Sequence, residues 1–459
     1  MLNDKTTRQL LWIALFAIVL RFAYQAVMLH FGGSFHNVSD SEKYLIIAGE
    51  YLAGGYGNHS GEQLERMPLY PAFLAAIFHL FGTDNLRAVV TVQNFVDALS
   101  VIGIGVAARS MSERFAAPAA LAAAVIPNFL VHASYILTET VFTLFFVWGL
   151  CTLLWALRRN TVPLLIAGGL LFGLALMTRP VMIHYLAALV PALAVGLWLQ
   201  GKTTWLRSAT LAAIPAILIL TFAAPRVIDH YRHYGYASLT AQEGTHLLNW
   251  FYGCLASATP CAERGRVVEE MRPISEQRVA ALGKDKDNPF AVSAVESRLA
   301  IEKILSTSPS LIITSMSAGM FRVLMQTGFY ESFAQFRQPL TFFSAMSGRS
   351  LTERLSNFAR TNATNVFMLL WVLAQAALVL SRGVQLAGLV HGLREPALRG
   401  ATLILAATII YFLVLTGPVA SPKYRIPIEP PLLILFGIGW GWLRDQCARR
   451  NASTRAAAR

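Results

Sequence analysis

The apolar positions of this chain fall in long continuous runs. Leu10–Leu20 has no polar residue, and Leu403–Leu415 is broken only by Thr408. Runs of about 20 apolar residues match the hydrocarbon thickness of a bilayer when helical. Transmembrane barrel strands would instead alternate apolar and polar positions. The runs therefore predict helical spans at 10–30, 86–108, 114–130, 137–157, 162–177, 181–199, 208–225, 363–381, 400–416 and 429–443. The stretch 309–328 is apolar too, but it holds Arg322 and many Ser and Thr, and it reads as an interfacial or re-entrant helix. The expected fold class is all-α: a polytopic membrane protein of about 10 transmembrane helices with external amphipathic helices. No internal repeat or low-complexity linker is visible. Three segments follow: 1–228, a transmembrane module including the loop 31–85; 229–362, external and partly helical; and 363–459, the C-terminal spans and tail.

Composition removes the soluble alternatives. Of 459 residues, 55% are hydrophobic and 14% charged, and the mean hydropathy is +0.51. Soluble domains carry roughly 25% charged residues. In lipid, each backbone polar group needs an internal partner, which helices supply. The first run is too long for the core of a secretory signal and lacks a small-residue cleavage site, so it is expected to stay as a span.

A net charge of +13 in a soluble protein would suggest nucleic acid. Here the basic residues sit in short loops, so nucleic acid is excluded as a partner. Lys5, Arg8, Arg109, Arg114, Arg158, Arg159, Lys202, Arg207, Arg382, Arg394 and Arg399 fall on one side, with Arg444, Arg449, Arg450, Arg455 and Arg459 in the tail. The opposite short loops hold few basic residues apart from Arg179, Lys423 and Arg425. Lys and Arg accumulate in cytoplasmic loops. Both termini are therefore expected in the cytoplasm, with 31–85 and about 226–362 outside. Cys254 and Cys261 fall in the second external segment and suggest a disulfide; two free thiols are the alternative. Cys151 lies in a span and Cys447 in the tail, and no Cys/His spacing suits zinc.

Asp40, Tyr44 and Ala48 are four apart and share one helix face. Glu42–Leu52 is amphipathic and suits a membrane surface. Ser39 or Asp40 would cap that helix, and an anion there is stabilised by the helix dipole. Asp40 as a plain surface cap is the bland alternative. Gly54-Gly55 and Arg66-Met67-Pro68-Leu69-Tyr70-Pro71 follow. Further along stand Leu137-Thr138-Glu139, Thr178-Arg179-Pro180 and the run Ser421-Pro422-Lys423-Tyr424-Arg425-Ile426-Pro427-Ile428-Glu429-Pro430.

These four pieces, in this order and on one side, resemble the external loops of membrane glycosyltransferases of the GT-C fold. The bacterial branch related to protein O-mannosyltransferases and lipid A aminoarabinose transferases is the most similar group. The resemblance covers most of the chain except about 226–362. It departs at Ser41, where many relatives carry a Glu after the Asp. Glu42 lies one residue on, about 100° around a helix. Glu42 and Glu139 are the candidates for a second carboxylate.

The resemblance implies transfer of a sugar from a polyprenyl-phosphate donor to a glycolipid, polysaccharide or protein acceptor, at the external face of a bacterial inner membrane. It makes Asp40 the catalytic base. A positioned carboxylate takes the proton of an acceptor hydroxyl as it attacks the anomeric carbon, with inversion. The leaving lipid phosphate needs cationic donors. Lys423 and Arg425 are the first candidates, joined by Arg66 and Arg179. Interfacial anchoring with Tyr424 is the alternative for the first pair. Glu139 would orient an acceptor, hold a metal or cap a helix. Tyr44, Tyr70 and Tyr424 are candidate sugar or acceptor contacts. No cofactor is required, although a divalent metal is compatible with the chemistry. Membrane lipids are the remaining partner.

Two ionisable residues fall inside spans, Arg21 and Asp97. Such groups face a partner or a cavity, so the two are expected to approach each other or to line the interior, with Gln93 and Asn94 in the same patch; a purely structural polar contact is the favoured role. His132, His184, His230, His233 and His246 fall near the external side, as metal or phosphate ligands or as structural groups. Tyr231, Tyr234, Tyr236, Trp250, Phe251 and Tyr252 suit sugar stacking or an interfacial layer. Two other function classes compete. A lipid or glycan transporter or flippase would favour repeated halves and broken helices at midplane. A non-catalytic scaffold would have no need of Asp40.

Overall fold

A computed structural model describes residues 4–36, 40–201, 203–257, 261–328, 350–362 and 366–457. Ser39, Lys202, Arg459 and the first residues of the expected span 363–381 lie outside them. Eleven helices run from the N-terminal side: α1 (Lys5–His30), α2 (Asp40–Leu52), α3 (Gly61–Glu65), α4 (Leu69–Phe81), α5 (Leu86–Met111), α6 (Glu113–Val125), α7 (Pro127–Ala133), α8 (Glu139–Arg159), α9 (Val162–Thr178), α10 (Met182–Leu199) and α11 (Trp205–Tyr234). After shorter turns come α12 (Arg264–Ala280), α13 (Pro289–Ser306), α14 (Pro309–Met325), α15 (Leu351–Asn362), α16 (Val366–Arg394), α17 (Pro396–Thr416) and α18 (Glu429–Ala457).

Among the described residues, eight helices are long and apolar enough to cross a membrane, or up to ten if each of two bent pairs is one span. Two of the expected spans differ in form. The span at 114–130 is the pair α6 and α7, bent by 54°. Pro127 removes a backbone donor and disfavours helical geometry at Ile126, which is extended (ψ 125). The span at 162–177 is α9, a helix of 17 residues, at the short end of what a bilayer needs. The stretch around 309–328 is α14, which meets α13 at 110° across a short break.

The protein is a multi-pass membrane protein, and its surface shows why lipid is needed. Trp12, Val19, Leu369, Leu373 and Leu380 all point outward with more than half their area exposed. The inward stripe of α1 is Leu10, Ala14, Ala17, Arg21, Gln25 and Met28, spaced three or four apart. Without a hydrophobic drive between helices in lipid, close packing of small residues holds the bundle. A Cβ at Gly388 would strike the Leu435 carbonyl, and one at Gly439 the Val384 carbonyl. Only glycine therefore lets α16 and α18 approach so closely.

Arg21 and Asp97 do meet. Arg21 Nε donates to Asp97 Oδ2 at 2.5 Å, and Arg21 is fully buried. Arg21 Nη1 also donates to the carbonyls of Ala124 and Ala17 at 2.8 and 3.1 Å. One turn away, Gln25 and Asn94 exchange two amide bonds of 2.8 and 3.0 Å. Gln93 does not join them. It donates to the carbonyls of Tyr135 and Ala133, because it lies about 100° from Asn94 on the helix. Breaking a buried pair leaves one charge uncompensated, at about 3–5 kcal/mol. Arg21→Met is expected to lower the thermal unfolding temperature in detergent sharply. Adding Asp97→Leu should recover much of that loss; equal melting of the single variant, the double variant and the wild type would refute the coupling.

The charged loops gather at one end of the bundle. There Arg109 pairs with Asp4 at 2.5 Å and with Glu113 at 2.9 Å, and Arg114 pairs with Asp445. Arg158 caps the carbonyls of Ser110 and Arg109 at 2.9 and 3.1 Å. At the opposite end, Cys254 and Cys261 form a disulfide with Cα atoms 4.1 Å apart.

Candidate active site

Five helix boundaries deliver charged side chains to that opposite end. Asp40 is the first residue of α2, where the helix dipole favours an anion. Gly54 follows α2 at φ +79, a conformation that favours glycine. It turns the chain back toward α3, and Arg66 is the extended residue that caps α3. Glu139 opens α8. Arg179 ends α9 in extended geometry (φ −145, ψ 122), as the residue before a proline prefers. Lys423 sits in a tight 3₁₀ turn, Pro422–Ile428, that leads into α18.

Lys423 is the hub of this cluster. Its Nζ lies 3.0 Å from Asp40 Oδ2 and 3.7 Å from Glu139 Oε1. Arg66 Nη2 donates to Asp40 Oδ1 at 3.1 Å, and Arg179 Nη1 donates to Glu139 Oε1 at 2.9 Å. Two carboxylates thus interleave with three cations. Their exposures differ in a useful way: the Asp40 side chain is 34% exposed, while that of Glu139 is 1% exposed. Asp40 meets solvent, and Glu139 anchors the cations from below. Burial disfavours the charge on Asp40. Lys423, by attraction and by hydrogen bond, and then Arg66 outweigh it and hold the carboxyl below its ordinary range.

A second layer fixes Arg66. Its other branch donates to Gln242 Oε1 at 2.9 Å, and Gln242 in turn donates to Glu65 at 2.8 Å. The guanidinium lies over the Tyr44 ring at 5.5 Å. Arg226 on α11 donates to the carbonyls of Gln63 and Arg66 at 2.5 and 3.0 Å. His246 approaches Gln242 at 3.3 Å. Burial, then the Arg66 charge, hold its imidazole below the ordinary value.

The sequence-level candidates divide accordingly. Asp40, Glu139, Lys423, Arg66 and Arg179 converge. Tyr424 lies within electrostatic reach of Lys423, Arg179, Asp40 and Glu139. Tyr44 is buried beneath Arg66, where it serves as a platform. Three candidates are corrected. Arg425 is 1% exposed; it pairs with Glu429 and donates to the carbonyls of Val323 (3.0 Å) and Gln326. At three residues per turn, it points to a different face from Lys423, so a phosphate at Lys423 would not meet it. Glu42 is exposed; two residues from Asp40, it lies about 200° around the helix. Tyr70 is fully buried, and its hydroxyl donates to Gln93 at 2.9 Å, so it packs the core. His132 and His230 bond the carbonyls of Asn128 (2.8 Å) and Ser238 (2.7 Å) through Nδ1, which fixes each ring. Sequence reasoning missed Gln242, Glu65 and Arg226. The partners that tie them to the site lie more than a hundred residues away: Arg66 and Glu65 for Gln242, and Gln63 and Arg66 for Arg226. No local motif marks them.

Residues 65–228 match the family described as dolichyl-phosphate-mannose-protein mannosyltransferase. The matched part contains Arg66, Glu139 and Arg179 but neither Asp40 nor Lys423. No curated protein sequence compared with the chain matches it. Among solved structures, the archaeal oligosaccharyltransferase AglB of Archaeoglobus fulgidus, in complex with an inhibitory peptide and dolichol-phosphate, is similar at 14% identity and a TM-score of 0.53, over 98% of this chain and 52% of that one. Its apo form gives 13%, 0.55, 99% and 52%. ArnT of Cupriavidus metallidurans bound to undecaprenyl phosphate gives 17%, 0.38, 92% and 77%. The chain spans about half the length of the oligosaccharyltransferase structures it matches. The fold is GT-C-like.

Proposed function

We propose that this chain is a glycosyltransferase that moves one sugar from a polyprenyl-phosphate donor to an acceptor hydroxyl, with inversion at the anomeric carbon. The observation that carries this reading is Lys423 Nζ held between Asp40 and Glu139, with Arg66 and Arg179 completing the cluster. A phosphate needs such cations, and an acceptor hydroxyl needs such a carboxylate.

In the resting cluster Asp40 is a weak base, because two cations stabilise its charge. An incoming lipid phosphate competes for Lys423 and Arg66. As they turn to the phosphate, Asp40 loses its partners and becomes a stronger base. It then accepts the acceptor's proton while the acceptor oxygen bonds to the anomeric carbon. The bond from that carbon to the phosphate oxygen breaks, and its electron pair leaves with the phosphate. Lys423, Arg66 and Arg179 stabilise the departing charge. Glu139 acts as a positioning residue, since it stays buried beneath Arg179 and Lys423. With Lys423 between the two carboxylates, the reading does not require a divalent ion there. Tyr424 is the remaining sugar-contact candidate.

The cluster belongs on the external face of a bacterial inner membrane, with both termini cytoplasmic. The gathering of Arg109, Arg114 and Arg158 at the other end supports this orientation. Residues 1–228 would form the catalytic module; Gln242 and His246 from 229–362 and Lys423 from 363–459 complete its site. Deleting the gene should leave an envelope glycan, glycolipid or glycoprotein one sugar short and should raise the level of a polyprenyl-phosphate sugar, both read by mass spectrometry. Unchanged profiles of donor and product would count against transfer.

A further inference from the structure

A second polar cluster stands apart from the Asp40 group in its side chains and chemistry. Asp229 and His233 lie one turn apart on α11, on the same face. His59 reaches them from the loop between α2 and α3. His59 Nε2 is 2.8 Å from Asp229 Oδ2, and His233 Nδ1 is 3.1 Å from Asp229 Oδ1. The two imidazoles meet edge to face with centroids 4.6 Å apart. One ligand atom from each of the three residues falls within 4.8 Å of the others. His59 holds φ +52, the left-handed region that L residues other than Asn, Asp and His seldom adopt. That backbone turn aims the ring at α11.

We propose that His59, Asp229 and His233 form a zinc site that clamps the first external loop to the end of α11. Two imidazole nitrogens and one carboxylate oxygen are a donor set suited to zinc, whereas magnesium and calcium favour oxygen donors. The side chains are 25%, 42% and 55% exposed for His59, Asp229 and His233. The ion can therefore enter from solvent, and water can complete a four-coordinate shell. Without metal, His59 is hydrogen-bonded to the Asp229 carboxylate, and His233 Nδ1 bonds the Asp229 backbone carbonyl at 3.0 Å with the carboxylate 3.1 Å away. With metal, its oxygen and the two nitrogens turn from each other to the ion.

The consequence reaches the loop that carries Arg66. His59 is followed by Ser60, whose side chain caps α3, and Arg66 caps the other end of that helix. Arg226, one turn before Asp229 on α11, already grips the carbonyls of Gln63 and Arg66. The ion would be a second rivet between the same two elements and a positioning device for Arg66. It takes no part in the transfer step, so it can fail without affecting the sugar-transfer reading.

The test uses the full chain in detergent, without a polyhistidine tag, stripped by chelator and titrated with zinc against a colorimetric indicator. One ion per chain is expected. His59→Ala and Asp229→Asn should each weaken binding by at least about tenfold. Zinc should raise the melting temperature of the wild type but not of H59A. Binding should also weaken in acid, because the ligands must be deprotonated. Because an alanine variant could lose binding by misfolding, His233→Cys supplies a gain of signal. Its cobalt(II) complex should show a thiolate-to-cobalt charge-transfer band in the near ultraviolet that the wild type lacks. Absence of one-to-one binding, unchanged affinity in H59A, or cobalt binding without that band in H233C would each overturn the site.

Discussion

Asp40→Asn is expected to lower sugar transfer by about 10²–10⁴-fold, the range of a lost general base, while donor binding persists. Asn keeps the size of the side chain and one oxygen, which can accept from Lys423 or from Arg66, and Glu139 and Gln242 still hold the two cations in place. It cannot take a proton from an acceptor hydroxyl. The loss should therefore fall on kcat, with little change in the affinity for a polyprenyl-phosphate donor measured by equilibrium binding. Glu42→Gln is the control: Glu42 is exposed on another face of α2, and its loss should leave the rate near that of the wild type. Transfer at wild-type speed in D40N would remove the base from the mechanism. Loss of donor binding together with transfer would instead mark Asp40 as an electrostatic partner of the cations.

What could be read in the sequence and what could not divide along physical lines. Spans are legible because lipid demands long apolar runs, and a single ionisable residue inside one is conspicuous; hence Arg21 and Asp97 stand out as inward-facing, while their direct pairing is seen only in the structure. Breaks were harder. Pro127 splits one expected span into α6 and α7, while Pro118, Pro191 and Pro215 lie within continuous helices, so proline alone does not announce a break. The members of the Asp40 cluster were legible as types at helix ends on one side. Their pairing was not. Lys423 reaches across 383 residues to Asp40, and no periodicity encodes such a contact. Arg425 misled for a local reason: beside Lys423 it reads as a second phosphate ligand, but the 3₁₀ turn sends it inward to Glu429. Tyr70 misled similarly. Its motif resembles a site, whereas its hydroxyl serves the Gln93 network of the core.

Lys423→Met carries the second large expectation. Methionine keeps the length and apolar stem of lysine but removes the charge, and two effects should follow. The departing phosphate loses its central cation, which should cost about 10²–10³-fold in transfer, the range for removing one electrostatic donor. The second effect concerns Asp40. Lys423 is the strongest influence lowering the Asp40 pKa, by attraction and by hydrogen bond; without it that pKa rises. A base works only when deprotonated, so the acid limb of the rate profile should move to higher pH. The shift should be larger in kcat/KM, which reports the free enzyme, than in kcat, which reports the loaded one. In the loaded enzyme Lys423 has already turned to the phosphate, so its removal changes the surroundings of Asp40 less. Lys423→Arg should restore part of the rate and return the acid limb toward its original place. A kcat/KM profile whose acid limb stays fixed in K423M would mean that Lys423 does not govern Asp40. The exchange of cations between carboxylate and phosphate would then have to be given up, even if the rate itself fell.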